Sequence, residues 1–160
     1  MDLRAGGTVN KNPLARLIRP CRPLHVDTTL SEAAREISEH GSGLPVVDDG
    51  TRLVGFLDEV DLLAATTPGY LKELHGTDLF LQDPEALQRA IARAAPTPVG
   101  EHMRRAAVHV DTDDSEMHAI ALFLQSGQHT LPVIDASTRQ VVGVLRLLDL
   151  LRELVQSGID

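Results

Sequence analysis

Two carboxylates one helical turn apart, Asp58 and Asp61, recur near the carboxy-terminal end of the chain as Arg146 and Asp149. A carboxylate presents an acceptor pair suited to vicinal hydroxyls, and a guanidinium presents donors suited to phosphate. Asp58 would therefore repel a phosphate and serve equally as a helix N-cap, whereas Arg146 would attract one. Asp61 and Asp149 have a structural use too, since an acid in the first helical turn is favoured by the macrodipole. Other chemistry is sparse. The seven histidines (His25, His40, His75, His102, His109, His118, His129) contain no i, i+4 pair and no Cys-x-x-Cys accompanies them, so no specific metal site is expected. Cys21 is the single cysteine and has no partner for a disulfide or a redox pair. There is no Gly-x-Ser-x-Gly, no phosphate-cradling glycine loop with lysine and no enforced acid/base pair, so catalysis is not expected.

The elements that must hold these residues occur twice. Leu24-His25-Val26-Asp27-Thr28 precedes a helical stripe of Leu30, Ala33, Ala34 and Ile37, stopped by Gly41 and Gly43. Val108-His109-Val110-Asp111-Thr112 precedes Met117, Ile120, Ala121 and Leu124, stopped by Gly127. A buried strand follows in each copy, Leu44-Pro45-Val46-Val47-Asp48 and Leu131-Pro132-Val133-Ile134-Asp135, with proline expected at its first residue. A polar turn and a return strand, Leu53 to Leu57 and Val141 to Leu145, complete a hairpin, and a last helix starts at Asp58 or Arg146. That helix carries Val60, Leu63 and Ala64 in one copy, and Leu147, Leu150, Leu151 and Leu154 in the other.

The 160 residues, 42% hydrophobic and 24% charged, suffice for one domain or two small halves sharing a core. A unit of about 60 residues buries only about 60% of its unfolded surface, so the halves should pack together. Fifteen basic against 23 acidic residues leave a net charge of -8, and the four aromatics (Phe56, Tyr70, Phe80, Phe123) are too few for a base-stacking platform. Nucleic-acid binding and adhesion to acidic membranes are disfavoured. Met1 to Asn12 lacks the apolar stretch of a signal peptide, and no run approaches the roughly 20 apolar residues that span a bilayer. A soluble cytoplasmic protein without membrane insertion is expected.

The element order, the repeated Leu-Pro-Val-(Val or Ile)-Asp strand and the closing Gly-x-x-x-x-x-Asp-Leu-Leu, at Gly55 to Leu63 and Gly143 to Leu151, resemble the tandem cystathionine β-synthase (CBS) domain, or Bateman module. The resemblance covers residues 13–65 and 97–155, with 66–96 as a helical connector. It implies an α+β fold of two βαββα motifs packed sheet to sheet about a pseudo-twofold axis, leaving two clefts. It also implies a non-enzymatic regulatory module that senses AMP, ADP, ATP or S-adenosylmethionine, requires no cofactor, forms a homodimer and controls an enzyme or transporter in trans.

In that family an aspartate early in the last helix accepts from ribose hydroxyls, and the matching residues are Asp61 and Asp149. The family's Thr or Ser three residues earlier, a phosphate contact, is replaced by Asp58 and Arg146. The resemblance therefore implies unequal sites, with phosphate preferred beside Arg146 and a neutral nucleoside, a sulfonium ligand or nothing beside Asp58. Adenine would be read by backbone near Thr28 and Thr112, and near Ser42 and Gly43 or His129 and Thr130. Thr28 and Thr112 would serve equally as caps of the following helices. The departure at Asp58 and Arg146 keeps an alternative open: an interaction module with empty clefts that binds a partner through residues 66–100. In that stretch Tyr70 to Leu74 suggests a helical turn, Leu79-Phe80-Leu81 an apolar patch, and Asp83-Pro84 the start of a helix with Ala86, Leu87, Ala90, Ile91 and Ala94 as its stripe. It would pack on the module itself or serve as a dimer or partner contact.

Overall fold

The computed structural model describes residues 13–67, 84–105 and 107–159. In chain order the elements are β1 (Ile18–Arg19), β2 (Leu24–His25), α1 (Leu30–His40), β3 (Leu44–Val47), β4 (Leu53–Leu57), α2 (Glu59–Thr66), α3 (Pro84–Ala94), β5 (Val110–Asp111), α4 (Glu116–Ser126), β6 (Thr130–Ile134), β7 (Val141–Arg146) and α5 (Leu147–Ile159). They build two sheets, ordered β2-β3-β4 and β1-β7-β6-β5, so each copy is the expected βαββα unit in a mixed α+β fold. Tyr70 to Leu74, Leu79 to Leu81 and Asp83 lie outside the described residues.

The helix ends follow from local chemistry. Thr29 caps α1 in a reciprocal box with Glu32, and Gly41 closes it in the left-handed conformation at φ 77°. Ser115 caps α4 through a 3.1 Å bond from the His118 N–H, and Gly127 closes it at φ 66°. The caps are therefore Thr29 and Ser115, not Thr28 and Thr112. This sets the phase of α4 one residue away from the expected stripe. Ala119 and Phe123 are buried, whereas Met117 and Leu124 are 72% and 80% exposed. The strands agree with that register: Leu24 pairs with Val46 and Val110 with Val133, so His25 corresponds to Asp111 and not to His109. Ala34 is likewise exposed. In α2 the residues packed on the core are Leu62 and Ala65, while Val60 and Leu63 face outward.

The prolines lie inside their strands, second in β3 and third in β6, and not at the first residue as expected. The ladder tolerates them because Pro45 faces Phe56, whose N–H and C=O bond instead with the backbone of Arg104 at 3.0 and 2.9 Å. Pro132 has the equivalent place opposite Val144. On the other side β2 and β5 reach only as far as Val46 and Val133, so no donor is required at either proline.

The sequence reading missed the segments preceding each copy, which cross to the sheet of the other. β1 pairs antiparallel with β7, and Arg104, ahead of β5, bridges to Phe56 in β4. Leu14 and Leu17 thereby enter the core of the second copy beside Val110, Phe123 and Leu131. Val99 enters the core of the first beside Leu24, Leu30 and Ile37. The stretch before Arg104 also completes α1, because the carbonyls of Thr97 and Ala95 accept from the Leu30 and Ser31 N–H groups at 2.9 and 3.1 Å. Helix α3 contacts α2 and buries Ala94 in the same core, leaving Leu87 and Ile91 37% and 45% exposed.

These crossings explain the repeated glycine. A Cβ on Gly143 would press into the Arg19 carbonyl, 2.9 Å from its carbon, and one on Gly55 would lie 2.9 Å from the Arg104 carbonyl oxygen. Each arm then ends on an acid of the last helix. Arg19 Nε and Nη2 donate to Asp149 at 2.5 and 2.8 Å, and Arg104 Nε donates to Asp61 at 3.1 Å.

Gly143→Ala should lower stability by about 1–3 kcal/mol, the cost of overpacking, whereas Gly158→Ala, with nothing within 4 Å of the added carbon, should be neutral or slightly stabilising; thermal melts of both variants check this. Asp149 supplies a pH signature. The hydrogen bonds from Arg19, reinforced by Arg146 and opposed by burial, hold its carboxyl well below the usual carboxylate range. The stabilisation is therefore complete above about pH 4, the value for an unfolded Asp, and is lost as pH falls toward the lower folded value. Asp149→Asn should cost about 1.5–3 kcal/mol at pH 7, and the gap from the parent protein should narrow in denaturant titrations carried below pH 4.

Candidate functional site

The amino terminus of α2 forms one wall of a cleft of about 380 Å³ between the copies. Asp58 Oδ1 accepts from the Val60 and Asp61 N–H groups, both at 3.0 Å, while Asp61 Oδ2 accepts from the Asp58 N–H at 2.9 Å. This reciprocal box locks both carboxylates at the helix mouth. Arg104 reaches over from the crossing segment, with Nη2 on Asp58, Nε on Asp61 and its guanidinium 5.5 Å from the centre of the Phe56 ring. The opposite wall is the turn from α4 to β6, Ser126 to Thr130. Gly43 forms part of the floor, where a Cβ would lie 2.8 Å from the Asp58 Cβ and the Phe56 ring.

Burial raises the Asp61 carboxyl above its ordinary value, helped by the neighbouring Asp58 charge and opposed by the Asp58 N–H and Arg104. Asp58, Glu59 and Asp61 together outweigh the single Arg104, so the cleft is net acidic. Gln128 lines it as well, and its Oε1 is buried without a hydrogen-bond partner among the described residues.

The corresponding place on α5 is arranged differently. Asp149 is 8% exposed and accepts from three arginines: Arg19, Arg146 Nε at 3.0 Å and Arg152 Nη1 at 3.4 Å. A cavity of about 280 Å³ beside it includes Arg16, Arg19 and Arg152 in its lining. Positive charge exceeds negative in this cluster, the reverse of the α2 cleft.

The residues singled out from the sequence thus fall into separate groups. Gly43, Asp58 and Asp61 meet His129 and Thr130 in one cleft, so the turn of the second copy serves the aspartates of the first. Ser42 is buried, with its hydroxyl donating to the Gly43 carbonyl at 3.3 Å, and lies outside that lining. Thr28 lines a concavity with Arg22 and Glu32 instead, and its Oγ1 accepts from the His25 N–H at 3.1 Å. Thr112 Oγ1 accepts from the Ala136 N–H at 3.2 Å. Arg146 and Asp149 are together, hydrogen-bonded to each other.

Sequence reasoning missed Arg104, Arg19 and Gln128. The only available signal was the arginine's repetition ahead of each copy, which no local period marks. Burial pushes the Cys21 thiol up to about 11, the behaviour of an inert packed side chain. Among the described residues no group of three or more His, Cys, Asp or Glu is arranged for a metal, and no helix is long and apolar enough to cross a membrane.

This architecture has known counterparts. The CBS domain family matches residues 15–67 and 99–156. The chloroplastic CBS domain-containing protein CBSX2 of Arabidopsis thaliana is 29% identical over 147 residues, 86% of this chain and 61% of that protein. The chain spans less than two thirds of the length of the curated relatives it matches. The crystal structure of CBSX2, a CBS-pair protein, is 24% identical and superposes with a TM-score of 0.70 over 93% of this chain and 98% of that one; CBSX2 also has a structure in complex with AMP. The CBS domain pair of protein MJ0100, in complex with 5'-methylthioadenosine and S-adenosyl-L-methionine, is 20% identical with a TM-score of 0.63, covering 89% of this chain and 94% of that one. With both repeats matched and both sheets reproduced, the chain belongs to the CBS domain family as a tandem pair.

Proposed function

We propose that the chain is a regulatory module whose α2 cleft binds an adenine-containing ligand and thereby alters contacts with a partner protein in trans. The observation that carries this reading is the meeting, in one cleft, of the Asp61 carboxylate of the first copy with the Gln128 to Thr130 turn of the second. The carboxylate suits ribose hydroxyls, and the backbone of the turn suits the polar edge of an adenine ring. The AMP complex of CBSX2 and the 5'-methylthioadenosine and S-adenosyl-L-methionine complex of MJ0100 support the ligand class. CBS-pair proteins are regulatory modules and generally not enzymes.

Charge divides the ligands between the two sides. The excess of carboxylates at Asp58, Glu59 and Asp61 disfavours a polyphosphate and favours a neutral nucleoside or a sulfonium ligand. The three arginines around Asp149 suit phosphate, with Arg19 displaced when a ribose approaches. Isothermal titration should therefore show S-adenosylmethionine and adenosine binding more tightly than ATP, with Asp61→Asn weakening them at least about tenfold, the value of a charge-assisted hydrogen bond. Arg146→Ala should weaken AMP by a similar factor and leave S-adenosylmethionine unchanged. A flat response across AMP, ADP, ATP, adenosine and S-adenosylmethionine would favour the interaction module, whose contact would be the exposed Leu87 and Ile91 of α3.

A homodimer is part of this proposal. Helix α5 leaves Leu148, Leu151 and Val155 exposed at 72%, 45% and 59%, more apolar surface than an isolated helix face tolerates in water. A second copy would cover it, and Leu148→Glu should convert dimer to monomer in light scattering coupled to size exclusion.

A further inference from the structure

A further concavity, of about 340 Å³, opens at the tips of the two hairpins and shares no lining residue with the α2 cleft. Arg52 of the first hairpin, Arg139 of the second, and Arg105 and His109 of the segment between them converge on it. Val54 and Ile134 contribute an apolar wall, and no acid lines it. The neighbours Arg104 and Arg105 line different hollows, Arg104 the α2 cleft and Arg105 this one.

Each guanidinium is anchored from behind. Arg52 donates Nε and Nη2 to Asp48 Oδ2 at 3.2 and 3.0 Å, Arg139 donates Nη1 to Asp111 Oδ2 at 3.0 Å, and Arg105 donates Nη2 to the Gly100 carbonyl at 3.2 Å. Arg52 Nη1, Arg139 Nη2 and Arg105 Nη1 have no protein acceptor among the described residues. Arg139 also adopts φ 61°, a left-handed conformation that a glycine would occupy at lower cost. Among the described residues Arg52 and Arg139 are each balanced by one carboxylate and Arg105 by none, which leaves an excess positive charge that a shared anion balances. Preorganised guanidinium forks suit the several oxygens of a phosphoryl group more than a single carboxylate.

We propose that this concavity binds a small soluble phosphate-bearing anion, with Arg52, Arg105 and Arg139 as donors. The volume lies in the range of small-molecule sites, about 300–1,000 Å³, and the net charge of -8 opposes approach to a polyanionic nucleic acid or membrane surface. The inference is independent of the adenine reading, because the two sites have no lining residue in common.

Sodium tripolyphosphate titrated into the full chain by calorimetry tests it. The expected result, in an Arg146→Ala background that disables the α5 cluster, is one equivalent bound, at least tenfold weaker in Arg105→Gln and in Arg139→Gln, and unchanged in Arg35→Gln, which removes an exposed charge from α1. Arg105→Gln carries the test if Arg139→Gln melts early, since among the described residues the only bond lost with Arg105 is to a backbone carbonyl. Absence of heat at millimolar tripolyphosphate would overturn the proposal. Equal weakening in all three variants would do the same, by showing diffuse attraction. Competition by excess S-adenosylmethionine or adenosine would overturn it by moving the anion to the α2 cleft.

Discussion

The exchange of arms between the two copies is the constraint on which the rest of the structure depends. Neither βαββα unit closes its own core: Leu14 and Leu17 fill the second, and Val99 fills the first. Units of this size bury only about 60% of their unfolded surface, so each core is marginal and the exchange lets each copy complete the core of the other. The crossing backbones need close approach, which is why Gly55 and Gly143 recur at the same step of the return strand. The same pairing explains the prolines, since Phe56 directs its backbone bonds to the arm and leaves Pro45 with no donor to supply.

The candidate sites are assembled by that exchange as well. Each arm delivers an arginine to an aspartate in the first turn of the last helix, Arg104 to Asp61 and Arg19 to Asp149. One residue makes the outcomes differ. Asp58 adds a carboxylate beside Asp61, so the arginine bridges two acids and the cleft remains net acidic. Asp149, already held ionised by Arg19, gains a second cation in Arg146. A repeat that is symmetric in its backbone is therefore asymmetric in its electrostatics. A ligand bound at either aspartate, as proposed, would compete with an arm that also holds a sheet together, which would give binding a direct route to the inter-copy contacts.

The two hairpins were legible because strands of four to six residues, apolar and flanked by turn residues, carry their own signal. The first helix was legible through its stripe of Leu30, Ala33 and Ile37. The second was misphased, because Met117, Ile120, Ala121 and Leu124 imitate that stripe one residue out of step and only the Ser115 cap and the burial of Phe123 reveal the true face. The match of His25 with His109 failed similarly: it follows letters, whereas the ladder aligns Leu24 with Val110.

The sequence by itself determined the repeat, the α+β units, the pairing of Asp61 with Asp149 and the unlike neighbours Asp58 and Arg146. These are local facts, set by periodicity, turn chemistry and spacing within a few residues. Only the tertiary structure decided that the turn of the second copy faces the aspartates of the first, that Gln128 lines the cleft with a buried oxygen unpaired, and that Arg19 and Arg104 close on the acids. Two-residue strands and single bridges have no period to read, and their partners lie in the opposite half of the chain. Such contacts exist only once both cores form together, so no window of sequence contains them.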